Sequence, residues 1–217
     1  QELLAEALQF YGEFAREQVE DTDLQIELAK AQHRRGIILR ELGQQEEAAA
    51  ANADATQRLE ALRDRQLGGI EVLSVLAESY YFARRYDDCV ALCTSLLQTY
   101  PDRIDVRSTL AESYNALATL NTKPDQLAVT LDYHQQAFAI RKQLVEKHAE
   151  SAEFQAELAA TINNIGVVLD QQKRTHEALA MFKLSLAYND RACQLAPYSI
   201  LWGRWDATGH HNVGRAY

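Results

Sequence analysis

Small side chains return at a fixed beat along this chain, always inside segments whose apolar residues follow the helical period. Gly166, Ala178 and Ser185 stand twelve and then seven residues apart, and Gly36, Ala48 and Ala55 keep the same spacing. Ala77, Cys89 and Leu96 repeat it, as do Ala118, Thr130 and Ala137. The first member advances by 41 residues twice and then by 48. Around the last set, Leu158, Ile162, Ile165 and Leu169 recur at helical spacing, the pattern breaks at QQKRT, and it resumes through Ala178, Phe182 and Leu186. That is the signature of two helices folded back on each other. A glycine or alanine at the facing positions lets the two backbones approach, where a leucine would hold them apart.

Turn signals divide the chain into such helices. Three prolines and nine glycines fall mostly at breaks between apolar runs, at Gly43, Gly68-Gly69, Pro101, Lys123-Pro124-Asp125 and Pro197. The spacing predicts helices near 2–19, 23–42, 45–66, 70–84, 86–99, 103–121, 125–149, 151–172, 174–195 and 205–217. Asp125 and Thr175 are the expected N-caps, the latter followed by Glu177 in the first turn. The extra length of the third unit lengthens its second helix, since 125–150 contains no breaker. No strand pattern is present, so the expected class is all-α. With no long linker, 1–217 reads as one domain: repeats at about 23–67, 70–101, 103–149 and 151–196, with partial ones at 1–22 and 204–217.

The stretch 157–186 resembles a tetratricopeptide repeat, with Gly166, Ala178, Phe182 and Ser185 at four signature places and Leu169 where a tyrosine is usual. The resemblance implies a right-handed superhelical solenoid of antiparallel helix pairs, with units longer than the roughly 34 residues of the commonest repeat. Arg35 beside Gly36, Thr130 and Leu96 depart from the pattern, and looser helix spacing is expected there. At the ends, Leu4 to Ala15 with Ala7 reads as a second helix lacking its first, and Asn212-Val213-Gly214 starts a first helix. Solenoids need polar end caps, so the expectation is a piece of a longer protein. The phrases QQAFAIRKQLVEKHAESAEFQAELAATINNIGVVL and LAESYNALATL also resemble the repeat region behind the catalytic domain of planctomycete-type bacterial serine/threonine kinases, and more loosely kinesin light chains. That similarity rests on about 109–169, and the chain carries no glycine-rich phosphate loop, HRD or DFG.

Charge and composition bound the partners. At 47% hydrophobic the chain can bury a core, and a net charge of −9 with only short basic clusters such as Arg34-Arg35 and Arg84-Arg85 disfavours nucleic acid. No apolar run reaches eighteen residues, so no membrane insertion is expected. The first residues lack the pattern of a signal peptide. Three cysteines without such a signal point to reduced thiols and a cytoplasmic setting. Cys89 and Cys93, four apart, could form half of a metal site, but no His or Cys pair completes it. The repeat alignment puts both on the inner face, which favours burial. Cys193 has no partner suggested by sequence.

In the family's architecture the first helices of successive units line a concave groove, and its pattern assigns positions there. The resemblance carries these onto Lys30, His33, Ile37, Arg40 and Glu41, then Glu71, Ser74, Glu78, Tyr81 and Phe82. The later units add Glu112, Asn115, Thr119, Thr122 and Lys123, then Ala160, Asn163, Val167, Asp170 and Gln171; the partial unit adds Thr208, His211 and Arg215. Asn115 and Asn163 occupy equivalent places, where an amide can pair with an extended peptide backbone or simply be solvated. His33 and Ile37 stand where a carboxylate clamp would begin, which argues against one. Tyr80 belongs to the core by register, while Tyr81 and Phe82 either anchor a ligand side chain or pack on the next helix. Trp202 and Trp205 mark an apolar lead-in to the last helix, packed or exposed for docking.

Nothing among these residues forms a catalytic constellation: His210 and His211 face different ways on a helix, and His134 and His148 lack a positioned acid or nucleophile. The expected function is a non-catalytic scaffold that binds a peptide or partner helix in its groove, without a cofactor. The alternative is a regulatory or substrate-docking region of a serine/threonine kinase whose catalytic domain lies outside these residues.

Overall fold

The computed structural model describes residues 21–121 and 123–197. Among them are eight α-helices: α1 (Thr22–Glu41), α2 (Gln45–Asp64), α3 (Gly69–Phe82), α4 (Tyr86–Thr99), α5 (Ile104–Leu120), α6 (Leu127–Lys147), α7 (Ala152–Gln171) and α8 (Thr175–Leu195), with a 3₁₀ turn at Pro124–Gln126 before α6. No strand occurs among the described residues. The expected all-α class of paired helices is what the chain adopts. The helices expected at 2–19 and 205–217 lie outside the described residues, as do Thr122, Trp202, Trp205, Thr208, His210, His211 and Arg215. The chain divides into two compact units, Gln1–Thr109 and Leu110–Tyr217, with the boundary inside α5.

In unit 1, α1 pairs with α2 and α3 with α4, while α2 also packs on α3. Leu39, Ala48 and Ala51 form a core cluster at the closed end of the first hairpin. Leu28, Leu59, Val72 and Leu76 of the same unit are also fully buried. Polar bonds then tie α2 to α3. The Thr56 and Ser79 hydroxyls lie 2.8 Å apart in the interior. Tyr80, buried as its register predicts, donates its hydroxyl proton to Glu60 at 2.9 Å and accepts from Arg63 at 2.8 Å.

Unit 2 is built on the α7–α8 hairpin, with α6 packed on α7. Ile165, Leu169, Ala178 and Phe182 make one cluster, with Leu131, Phe138 and Met181 packed against it. Val145, Leu158 and Ile162 make a second, covered by Phe154 and Tyr188.

The recurring small residues are where the helices meet. Ala77, Ala118, Ala137, Ala55, Cys89 and Ala178 are completely shielded from water, and Ala48, Leu96, Thr130 and Ser185 nearly so. Gly36 and Gly166 are buried in α1 and α7. Added β-carbons there would stand 2.2 Å from Asn52 Oδ1 and 2.5 Å from Phe182 Cε1, so only glycine permits the approach. The first helix of these hairpins ends alike, seven residues after the small position. Gly43, Arg84 and Lys173 take left-handed φ values of 79°, 61° and 64°. Paired backbone bonds close each end: Gly43 N–H to the Arg40 carbonyl with Gln44 N–H to Leu39, Arg84 to Tyr81 with Arg85 to Tyr80, and Lys173 to Asp170 with Arg174 to Leu169. This is the Schellman closure.

The N-caps differ from those expected. Asp125 lies in the 3₁₀ turn and Thr175 is already the first residue of α8, preceded by Arg174, which makes no side-chain cap. Arg174 instead grips Glu177 through two bonds of 2.7 and 2.6 Å. Arg85 holds Asp88 at 2.6 Å in the same way at the start of α4. Side-chain capping is done by Asp21, which accepts from Asp23 N–H and Leu24 N–H, and by Ser151, which accepts from Phe154 N–H. Cys89 and Cys93 are both fully buried with sulfurs 3.9 Å apart, and Cys89 donates to the Ala77 carbonyl. The neighbouring thiol and burial push the Cys93 thiol far up, so it stays protonated.

Candidate functional site

In unit 1, five of the ten assigned positions on α1 and α3 come into contact: His33, Arg40, Glu78, Tyr81 and Phe82. Phe82 is the hub. The Arg40 guanidinium lies 4.0 Å above the ring centroid. The His33 ring is 5.5 Å from it and the Tyr81 ring 5.4 Å. Tyr81 continues the aromatic contact to Tyr86 on α4, at 5.7 Å. Phe82 thus packs against α1 and Tyr81 against α4, and both rings remain half-exposed. His33 lies beneath the face rather than on it, buried at 3% exposure, with Nε2 3.2 Å from Glu78 Oε2. Glu78 and Ile37 are half-exposed and Arg40 is exposed. The guanidinium is thus held flat on an aromatic ring, which stabilises it by cation–π attraction while leaving its edges in water.

Other assigned positions of unit 1 are already engaged. Lys30 pairs with Glu27 at 2.9 Å on its own helix. Glu71 and Ser74 receive Arg103, whose guanidinium also meets Asp105 at 2.6 Å. Arg103 holds the Asp105 carboxyl below the usual carboxylate range. These residues brace the approach to α5.

In unit 2, Asn115 on α5 enters a polar network that reaches into the interior. Its Oδ1 lies 2.7 Å from His134 Nδ1 on α6, and its Nδ2 donates to Thr161 Oγ1 on α7 at 3.0 Å. Arg141 of α6 donates to Thr161 Oγ1 at 2.6 Å and to the Glu157 carbonyl at 3.0 Å. Thr161 is completely buried, and His134 and Arg141 nearly so. Burial, then the Arg141 charge, pushes the imidazole of His134 down to about 4, so it is neutral at pH 7. Burial raises the Glu157 carboxyl, against the lowering effect of Arg141, whose Nε is 3.6 Å away. Of the remaining assigned residues, Asn163 and Asp170 are half-exposed, and Val167 and Thr119 exposed. Thr119 turns its hydroxyl onto the Ala116 carbonyl at 2.7 Å.

The groove pattern leads to Asn115 but not to Arg141, Thr161 or Glu157. A signal for them exists in the sequence. Arg141 falls eleven residues after Thr130, the place that the wholly buried Leu59 holds eleven after Ala48. A charged residue at a core position demands buried partners.

Residues 158–192 match the tetratricopeptide repeat family. This hairpin is similar to a tetratricopeptide repeat. The repeat spans most of α7 and α8, the pair whose small residues set the ruler for the others. Of solved structures, BtubC (BKLC) from P. vanneervenii is similar over 98% of this chain and 87% of that one, at 17% identity and a TM-score of 0.55. A thermophilic TPR protein of Thermus thermophilus, TTC0263, aligns over 84% of this chain and 99% of that one, at 16% identity and a TM-score of 0.44. No curated protein matches the chain. The first likeness speaks for the fold, and together with the repeat it supports a helical-repeat protein. Among the described residues, no helix is long and apolar enough to cross a membrane and no three metal-ligating side chains converge.

Proposed function

We propose that the chain is a protein-interaction scaffold whose first-helix faces hold a peptide or a partner helix. The observation that carries this reading is the Phe82 cluster. A half-exposed aromatic pair, Tyr81 and Phe82, is braced from behind by His33 and flanked by an oriented Arg40 and a half-exposed Glu78. Rigid aromatic and arginine side chains in one patch are what binding hot spots are made of. Ile37 adds apolar area beside them, and in unit 2 Asn115, Thr119, Asn163, Val167 and Asp170 extend the same assignment. The tetratricopeptide repeat in 158–192 supports an interaction role of this class.

The experiment is site-directed photocrosslinking from position 81, with position 94 on the exposed side of α4 as control, followed by titration of the protein captured. Phe82→Ala and Arg40→Ala should each weaken that binding about fivefold or more, the loss of a hot-spot side chain. Unchanged affinity in both variants would remove the face from the interaction. The second reading, a docking region beside a kinase domain, rests on the phrase similarity in 109–169. Sequencing the parent reading frame upstream of Gln1 decides it, since a kinase domain is encoded there or is not.

A further inference from the structure

We propose that Cys89 and Cys93 form a capture site for a trivalent arsenical, which bridges the two sulfurs across one turn of α4.

The spacing admits a bridging atom and refuses a direct bond. The sulfurs lie 3.9 Å apart on residues four apart in one helix. A disulfide needs its β-carbons about 3.5–4.5 Å apart, whereas helix positions i and i+4 hold them about 5–6 Å apart. Oxidation to a disulfide would therefore have to break α4. A heavy atom bonded to sulfur at about 2.3 Å, the zinc–thiolate length, can hold two sulfurs up to about 4.6 Å apart. Arsenic–sulfur bonds are of that length, so the pair can close on one arsenic with the helix intact. The Cys89 thiol is also aimed beforehand, by its bond to the Ala77 carbonyl at 3.0 Å.

The surroundings select the class of ligand. Both cysteines are completely shielded from water, and the neighbouring thiol and burial hold Cys93 protonated. Zinc and copper(I) take thiolates, and among the described residues no three metal-ligating side chains converge. A charged bis-thiolate inside a core is costly. A trivalent arsenical reacts with the thiols themselves. With methylarsonous acid, CH₃As(OH)₂, two As–O and two S–H bonds break, two As–S and two O–H bonds form, and two waters leave. Arsenic stays trivalent, the sulfurs stay reduced, and the product CH₃As(SR)₂ carries no charge.

Access comes through α4 itself. It buries three of its 14 residues, Cys89, Cys93 and Leu96, against ten of 20 on α7, and Arg85 before it makes no side-chain cap. A helix held by so few buried contacts belongs to the part of a structure that opens first. The dithiol is both the seam that holds α4 and the group uncovered when α4 lifts. An arsenical bound there staples consecutive turns of the helix.

The test treats the full chain with methylarsonous acid in the presence of excess reduced glutathione. Intact mass spectrometry should show a single CH₃As gained with two hydrogens lost. After trypsin the adduct should lie on 86–103, which holds Cys89 and Cys93, and not on the peptide of Cys193. Cys89→Ser and Cys93→Ser should each weaken capture at least about a hundredfold, the loss of a chelating second thiol, while Cys193→Ser leaves it unchanged. Hydrogen exchange should be faster on α4 than on α7 in the untreated chain, and slower on α4 once the adduct has formed, with the far-ultraviolet circular dichroism unaltered. Absence of an adduct, an adduct on Cys193, full capture by Cys89→Ser, equal exchange on α4 and α7, or loss of helix signal on binding would overturn the proposal. The peptide map of the parent chain decides even if a serine variant fails to fold.

Discussion

The ring of Phe182 lies across Gly166 so closely that a β-carbon at that glycine would stand 2.5 Å from Cε1 and 2.7 Å from Cδ1. Phe182 belongs to the core cluster of unit 2 and has Ile165, Leu169 and Ala178 around it, so the ring cannot slide away freely. Gly166→Ala should therefore destabilise the protein by about 1–3 kcal/mol through overpacking, read as a lowered midpoint in urea. Gly36→Ala meets the carboxamide of Asn52, a smaller group than the phenyl ring, and should cost less. Equal costs at the two sites would contradict this account of the packing.

The helix starts give a second contrast. Asp21→Ala and Ser151→Ala each delete a side chain that accepts from the first turn, and each should cost about 1 kcal/mol. Asp125→Ala and Thr175→Ala should change the melting temperature little, because neither side chain caps a helix.

Arg84 and Lys173 occupy left-handed backbone at φ of 61° and 64°. An L side chain is strained there by about 1–2 kcal/mol, and glycine returns part of that gain through the unfolded chain. Arg84→Gly and Lys173→Gly should each stabilise by about 0.5–1 kcal/mol in chemical denaturation. Both side chains are exposed, so no buried contact is lost with them.

His134 should make stability fall on acidification. Its folded value, about 4, lies below the ordinary 6.5, so between these values the unfolded chain binds the proton that the folded chain refuses. Stability is then full above about pH 6.5 and declines toward pH 4, by about 3 kcal/mol from this group. Glu157, raised by burial, acts with the opposite sign as pH falls through the carboxyl range. Urea denaturation of the parent and of His134→Asn across pH 4–7 should show a shallower slope in the variant.

What the sequence made legible is what repeats locally. The helical period and the spacing of Gly36, Ala77, Ala118 and Gly166 are short-range signals, and each of these residues is buried where helices cross. The burial of Cys89 and Cys93 followed from the same alignment. The helix starts were misread because Thr175 and Asp125 are good capping residues by type, whereas the fold places the cap of α8 one residue earlier, at Arg174, and sets a 3₁₀ turn before α6. The assigned positions gave no warning of the depth of His33, since helical spacing fixes a direction and not a distance from water. Arg141 was missed for another reason. Its partners Thr161 and Glu157 are 20 and 16 residues away, on a different helix, where no spacing rule within one helix reaches.

Gly36 and Gly166 open the same gap in their hairpins, yet a carboxamide fills one and a phenyl ring the other. Each pair of helices has been tailored to its own mate. The segments are consequently not interchangeable parts: grafting α8 opposite α1 would press an aromatic group into space cut for Asn52, and the reverse exchange would leave a hollow beside Leu169.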